Sequence, residues 1–320
     1  MSDLKAAVIG CGGHAQSHLQ MIADEPRLRL AGIAELDEER LRRNRAEWTP
    51  EQAFVDYRQM LDACAPDLVY VVTNPGHLLP IVIDCLERGI HTSVEKSPGM
   101  NVDETSQMAR AARDSVGKGI VSFNRRYFPQ VLAVRRRIQA GGGAVHVAAT
   151  YNKPLSRFKA ATPDPVICDA IHHVDLIRWL AGAGPEEAAI PVEVRGMVQD
   201  GERPVCHRHN AVVRFDTGAF GVLMCHYGVG YRIQRAEVHG EDLSVYLDLT
   251  RAPQVEGYEL GEGFSVGDDE IVAVGGASFN EVVHFVDCIL EDRTPWSTLD
   301  DAVQTMRLCE AIRAGHLGTL

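Results

Sequence analysis

Leu4-Lys5-Ala6-Ala7-Val8-Ile9-Gly10-Cys11-Gly12-Gly13-His14-Ala15 decides the fold of this chain, because a largely apolar run ends at once in a glycine-rich turn. A strand turning tightly into a helix makes three demands. The turn needs the steric freedom of Gly10, the close approach of backbone to a ligand needs the bare Gly12, and the helix needs a small residue, Ala15, where it crosses over the strand. The helix start at Gly13 and His14 then presents unpaired N–H groups and about half a positive charge to an anion. GxGxxA therefore predicts a cradle for the diphosphate of a dinucleotide. It also predicts an acid about 20 residues further on, at the end of the second strand, to accept from ribose hydroxyls. The run Leu28 to Ala34 closes with Glu35.

Outward from this stretch, strands and helices alternate regularly. Residues 4–10, 28–34, 67–73, 90–95 and 119–123 read as strands, and 13–24, 38–47, 78–88 and 102–116 as helices with apolar residues at three- and four-residue spacing. Pro80 suits the first turn of its helix, where a missing N–H costs nothing. Residues 1–123 thus predict a doubly wound parallel α/β sheet. From Asn124 the pattern changes: a helix over 129–139, three glycines at 141–143, a strand over 145–151 and a long helix over 168–180. Further strands follow at 192–198, 210–215, 220–227, 232–239 and 243–249, with Asp216-Thr217-Gly218 as a hairpin turn, and helices at 278–290 and 300–313 close the chain. Residues 124–320 predict an α+β domain with an open-faced, largely antiparallel sheet, whose last helix packs back on the first domain.

Composition narrows the function. A length of 320 residues suits two domains, and a formal net charge of -12 without a long Lys/Arg run argues against a nucleic-acid partner. No apolar run approaches the roughly 20 residues of a membrane span, and Met1-Ser2-Asp3 leads straight into a strand without a basic and apolar leader, which predicts a cytoplasmic protein. The 8 cysteines are scattered without a CxxC pair, so reduced, buried thiols are expected. Cys206-His207-Arg208-His209 has no companion cluster at metal-site spacing and reads as a polar loop; no metal is expected.

In a doubly wound sheet, ligands sit at the carboxyl ends of the strands. There the chain carries Thr73-Asn74-Pro75-Gly76-His77 and Glu95-Lys96-Ser97-Pro98, then Asn124-Arg125-Arg126-Tyr127 at the domain junction, and Asp169, His172, His173 and Asp175 ahead of Arg178-Trp179. In this order the motifs resemble the glucose–fructose oxidoreductase/inositol dehydrogenase family of NAD(P)-dependent enzymes, over essentially the whole chain. The resemblance implies an N-terminal Rossmann domain, hydride transfer between a nicotinamide and a carbinol carbon, and a sugar, cyclitol or related polyhydroxyl substrate. Lys96 resembles the family's catalytic lysine and His172 its proton-transfer histidine, with Asp169 as acidic companion. The family's proline after the lysine is Ser97 here, and Asp169 stands three residues before His172 where four is the common spacing.

The resemblance also implies that Glu95 lies near the nicotinamide ribose and that Thr73, Asn74, His77, Asn124 and Arg125 line the cofactor; a helix cap is the competing role for Asn74. Glu35 would repel a 2′-phosphate, which favours NAD, while nearby Arg40 leaves NADP possible. Arg126, Tyr151, Asn152 and His173 are candidate substrate residues with Lys96, Asp169 and His172, and Tyr231 and Arg232 are polar or aromatic neighbours in the same half. Lys153, Arg157 and Lys159 hint at an acidic group on the substrate. By resemblance the second domain forms a homodimer or homotetramer. Two other classes share the fold: a dinucleotide-binding regulator without catalysis, and a reductase acting on an imine or a tetrapyrrole.

Overall fold

The computed structural model describes residues 3–154, 164–201 and 207–320. In its first part, β1 (Leu4–Ile9), β2 (Leu28–Ala34), β3 (Gln52–Phe54), β4 (Leu68–Val71), β5 (His91–Val94) and β6 (Gly119–Val121) form a parallel sheet in the order β3-β2-β1-β4-β5-β6. Between them run α1 (Ala15–Asp24), α2 (Glu38–Trp48), α3 (Tyr57–Cys64), α4 (Pro75–Glu87) and α5 (Val102–Asp114). This is the doubly wound Rossmann order. All four residues of β4 are buried, as a strand covered by helices on both faces requires. The sequence reading omitted β3, a three-residue edge strand without periodicity, and with it the eight-residue α3. Its start for α4 is also corrected. Asn74 Oδ1 accepts from Gly76 N–H at 3.2 Å and Pro75 opens the helix, so Pro80 falls in the interior rather than the first turn.

The second part contains α6 (Pro129–Ala140), β7 (His146–Lys153), a π-helical turn at Val166–Ala170 running into α7 (Ile171–Ala181), then β8 (Pro191–Gln199), β9 (Arg208–Phe215), β10 (Phe220–Tyr227), β11 (Ile233–Gly240) and β12 (Leu243–Asp248). β13 (Gln254–Glu259), β14 (Glu262–Phe264), α8 (Asp268–Ala273), α9 (Glu281–Leu290), α10 (Leu299–Ala314) and β15 (Leu317–Thr319) complete the order. Nine strands form one sheet, β14-β13-β12-β11-β7-β10-β9-β8-β15, in which β7 and β10 are parallel and the remaining pairs antiparallel. The sequence reading stopped at β12; the charged, exposed β13 and the three-residue β14 and β15 carry too little apolar pattern. Alternation sorts the sheet faces. Val147, Ala149 and Tyr151 of β7 are buried on the face covered by α7, while Met197, Val212, Phe220, Met224 and Tyr246 are exposed on the open face.

The chain divides into two units, residues 1–122 with 280–303, and 123–279 with 304–320. Within the first, α9 is fastened to the parallel sheet. Ser122 Oγ donates to the Glu281 carboxylate at 2.9 Å, Val121 N–H donates to Ser297 O at 2.8 Å, and Arg27 pairs with Asp287 at 2.6 Å.

Candidate active site

The carboxyl ends of β1, β2 and β4 wall a cleft of about 740 Å³ in the first unit. Gly10 adopts φ +87, and a Cβ there would stand 2.4 Å from Val72 O, so the strand-to-helix turn admits only glycine. At Gly12 and Gly13 a Cβ would meet nothing within 4 Å, which leaves the backbone bare toward the cleft and solvent. Beyond the exposed His14, the fully buried Ala15 seats α1 against the sheet. Glu35 ends β2 at the cleft wall. Its Oε2 accepts from Cys11 N–H at 2.9 Å and from Arg40 at 3.2 Å, and its Oε1 accepts from Asp37 N–H at 3.0 Å. Burial, aided by the Glu35 charge, pushes the Cys11 thiol up to about 12 and keeps it protonated.

The residues fit a dinucleotide. Thr73 Oγ1, at the cleft wall, is buried without a hydrogen-bond partner among the described residues, so a donor or acceptor from a bound molecule is its natural complement. His77 is exposed at the same wall, and Asn74 spends its side-chain oxygen on the α4 cap. Sequence reasoning missed the apolar wall of Leu36, Val55, Tyr57 and Ile81. Leu36 is 82% exposed directly after Glu35, and a leucine in that position was the one available signal.

Glu95 follows β5, and its carboxylate turns inward. Glu95 Oε2 lies 3.0 Å from His18 Nε2 on α1, and His18 Nδ1 lies 3.7 Å from Glu281 Oε1 on α9. Burial alone would lower the His18 pKa, but the hydrogen bond to Glu95 and the Glu281 charge override it and raise the value. For Glu95, burial pushes up and the His18 hydrogen bond pushes down, with a lowered pKa as the outcome. Burial raises that of Glu281. This cluster was not read from the sequence, where its three members are far apart. Lys96 follows Glu95 directly and is partly exposed, and the Lys96–Ser97 peptide bond is cis.

In the second unit the expected substrate residues separate into three groups. Arg126 is corrected to a scaffold role: it is fully buried, its Nε donates to Asp175 Oδ2 at 2.7 Å, and its guanidinium lies 5.0 Å from the Trp179 ring centroid. Thr305 Oγ1 donates to Asp175 Oδ1 at 2.9 Å and Arg178 Nη1 donates to Thr305 Oγ1 at 2.5 Å, so Asp175 is the hub of a buried network. Asn152 is corrected as well. The pleat puts it on the face opposite Tyr151, where its Oδ1 accepts from His226 N–H at 3.1 Å.

The remaining residues share the inner face. Tyr151 is 2% exposed, with the His173 ring edge-on at 5.1 Å between centroids. His173 is fully buried, and burial together with Arg125 and Arg232 holds its pKa well below the ordinary histidine value. Asp169 accepts from Lys153 Nζ at 2.6 Å, a partner the sequence did not suggest. The π-helical turn ending at Ala170 separates Asp169 from His172, so the α-helical spacing rule does not govern that pair. His172 is partly buried and Asn124 is exposed, whereas Arg125 is buried and its Nη2 donates to Gln234. Arg157, Lys159 and Cys206 lie outside the described residues. Among the described residues no helix is long and apolar enough to cross a membrane.

A six-stranded sheet in Rossmann order, an open glycine cradle and an acid closing the second strand define a dinucleotide-binding protein, here joined to a mixed, mainly antiparallel sheet domain. Residues 4–123 match "Oxidoreductase family, NAD-binding Rossmann fold" and residues 145–316 match "Oxidoreductase family, C-terminal alpha/beta domain". The chain belongs to this oxidoreductase family, the glucose–fructose oxidoreductase/inositol dehydrogenase group that its motifs resemble, and its cofactor is NAD. It is similar to scyllo-inositol 2-dehydrogenase (NAD(+)) of Bacillus subtilis strain 168, 24% identical over 317 residues covering 94% of this chain and 90% of that one. Among solved structures it resembles levoglucosan dehydrogenase in complex with NADH, with TM-score 0.83, 18% identity and full coverage of both chains (100% and 100%). It also resembles UDP-N-acetylglucosamine 3-dehydrogenase from Acidithiobacillus ferrooxidans, with TM-score 0.82, 20% identity and coverage of 99% and 98%.

Proposed function

We propose that this protein is an NAD-dependent dehydrogenase that oxidises a secondary hydroxyl of a sugar, cyclitol or related polyhydroxyl compound. The observation that carries the reading is the open cradle at Gly12 and Gly13 together with Glu35 at the same cleft, in a chain whose named relatives act on inositols and anhydrosugars. When bound, the dinucleotide supplies the ring that accepts hydride from the carbinol carbon. Gly10, Gly12, Gly13, His14 and Ala15 form the diphosphate cradle, and Glu35 accepts from the adenosine ribose. Thr73 and His77 line the remaining length, and Asn74 fixes the start of α4 beside them.

Lys96 Nζ donates to the hydroxyl oxygen being oxidised and stabilises the charge that develops there. It directly follows Glu95, which His18 anchors, with Glu281 beside the other His18 ring nitrogen. His172 accepts the hydroxyl proton as the carbinol is oxidised, and Asp169, oriented by Lys153, accepts from a neighbouring substrate hydroxyl. Tyr151 and His173 pack edge-on within the second unit. The open sheet face, with Phe220, Met224 and Val212 exposed, supports pairing with a second copy of the chain, which light scattering would read as a dimer or tetramer. Seven described cysteines are free and six of them buried, which supports a reducing, cytoplasmic setting. Reduction of NAD by a panel of inositols, sugars and sugar derivatives, followed by NADH absorbance, tests the reading; no reduction with any member overturns it.

A further inference from the structure

The inner face of the second unit carries positive charge that no carboxylate among the described residues meets with a hydrogen bond. The neighbouring arginines show what balance looks like: Arg126 and Arg178 gather around Asp175, and the charge of Asp169 is met by Lys153. Arg125 is different. It is 8% exposed, and its described hydrogen bonds go to neutral groups, Gln234 Oε1 and, at 3.3 Å, Asn124 Oδ1. Its Nε is buried without a partner among the described residues. So is Arg232 Nε, so is Nε2 of Gln234, a residue 1% exposed, and so are both ring nitrogens of the fully buried His173.

These atoms belong to one neighbourhood. Gln234 stands directly across from Tyr151 in the β11–β7 register, His173 meets Tyr151 edge-on, and Arg232, just ahead of β11, is near enough for its charge to act on both His173 and Arg125. Burial, with the Arg232 charge, brings the Arg125 pKa down to about 10 although Asp169 and Asp175 pull the other way, the mark of a cation held away from water whose described hydrogen bonds reach no carboxylate. A buried, unpaired guanidinium and three further orphaned side chains are costly to keep, and the cost is removed when an oxyanion enters among them.

We infer that the substrate of this dehydrogenase is an anionic polyol, a sugar or cyclitol derivative bearing a carboxylate or phosphate group whose oxygens accept from Arg125, Arg232 and Gln234. The inference rests on the dehydrogenase reading only for the polyol half of the molecule. It redirects Arg125, expected at the cofactor, toward the substrate.

Calorimetry on the NADH-saturated full chain with D-glucose, D-glucuronate and glucose 6-phosphate tests it, alongside NAD reduction with the same three compounds. One or both anions should bind at least tenfold more tightly than glucose, with the glucuronate and phosphate arms distinguishing the two sources of oxyanion. Arg232→Gln should bring the preference to within threefold of unity, and Arg232→Lys should keep part of it. Thermal melts of each variant, within 2 °C or so of the parent, separate a lost site from a lost fold. Equal binding of all three compounds, no binding of either anion, or an Arg232→Gln effect of the same size on glucose and on the anions overturns the inference. Arginine-dependent anion binding without NAD reduction by any polyol would instead overturn the dehydrogenase reading and leave the anion site standing.

Discussion

His18 Nε2 stands 3.0 Å from Glu95 Oε2, so the helix that begins at the glycine turn holds the residue immediately before Lys96. The cradle and the lysine loop are thereby tied to one buried ion pair. Because the His18 pKa is raised, its contribution to stability is fully present below about pH 6.5, its unfolded value, and is lost as pH rises through the folded value. His18→Gln should therefore lower the melting temperature most at pH 6 and progressively less toward pH 9. A penalty that grew with pH would contradict the charge assignment.

Lys96→Ala should reduce turnover by about 10²–10⁴, the range for a lost acid–base or charge-stabilising group. NADH affinity, measured by fluorescence titration, should stay within about threefold, since the cradle residues lie elsewhere on the sheet edge. Retention of full turnover would remove Lys96 from the chemistry.

Gly10 and Gly12 should respond oppositely to alanine. Gly10→Ala forces a left-handed backbone and a clash with Val72 O, and should destabilise the fold by about 2 kcal/mol or more in urea denaturation. Gly12→Ala meets no protein atom, so stability should be kept while NAD affinity falls at least about tenfold, the effect of losing one close charge-assisted contact. Loss of stability in both would mean that Gly12 serves the turn, not the ligand.

Glu35→Gln removes the negative charge at nearly the same shape, and its single amide oxygen can accept from only one of Cys11 and Asp37 N–H. NAD affinity should fall about tenfold, the worth of a charge-assisted hydrogen bond, while NADP affinity holds or improves. Parallel titrations with both cofactors check it.

Asp175→Asn should cost about 3–5 kcal/mol, because Arg126 would be left buried and uncompensated. Replacing both together, Asp175→Leu with Arg126→Met, should recover a large part of that loss. If the double variant were as unstable as the single, the cost would lie in Thr305 and Arg178 rather than in the pair.

What was legible in the sequence was whatever local spacing encodes. Gly10, Gly12, Ala15 and Glu35 are placed by the strand period and the turn, and the structure puts Gly10, Gly12 and Glu35 at one cleft wall. The β7 alternation was equally visible, but which of Tyr151 and Asn152 faces α7 depends on tertiary packing, so Asn152 was misassigned. Arg126 looked like a site residue because its partner, Asp175, comes 49 positions later. The same distance problem hid His18–Glu281 and Lys153–Asp169. β3 was missed for a different reason: three residues in an edge strand hold too little information to register.

The fastening of α9 and the start of α10 to the first unit has a consequence for biogenesis. Glu281 fills the space beneath His18 and Ser122, and Ser297 completes the hydrogen bonding of β6, so the nucleotide-binding half lacks part of its interior until Ser297 has left the ribosome. A fragment ending at residue 123 would expose that interior to solvent, and nascent chains shorter than about 300 residues should lean on chaperones rather than fold domain by domain.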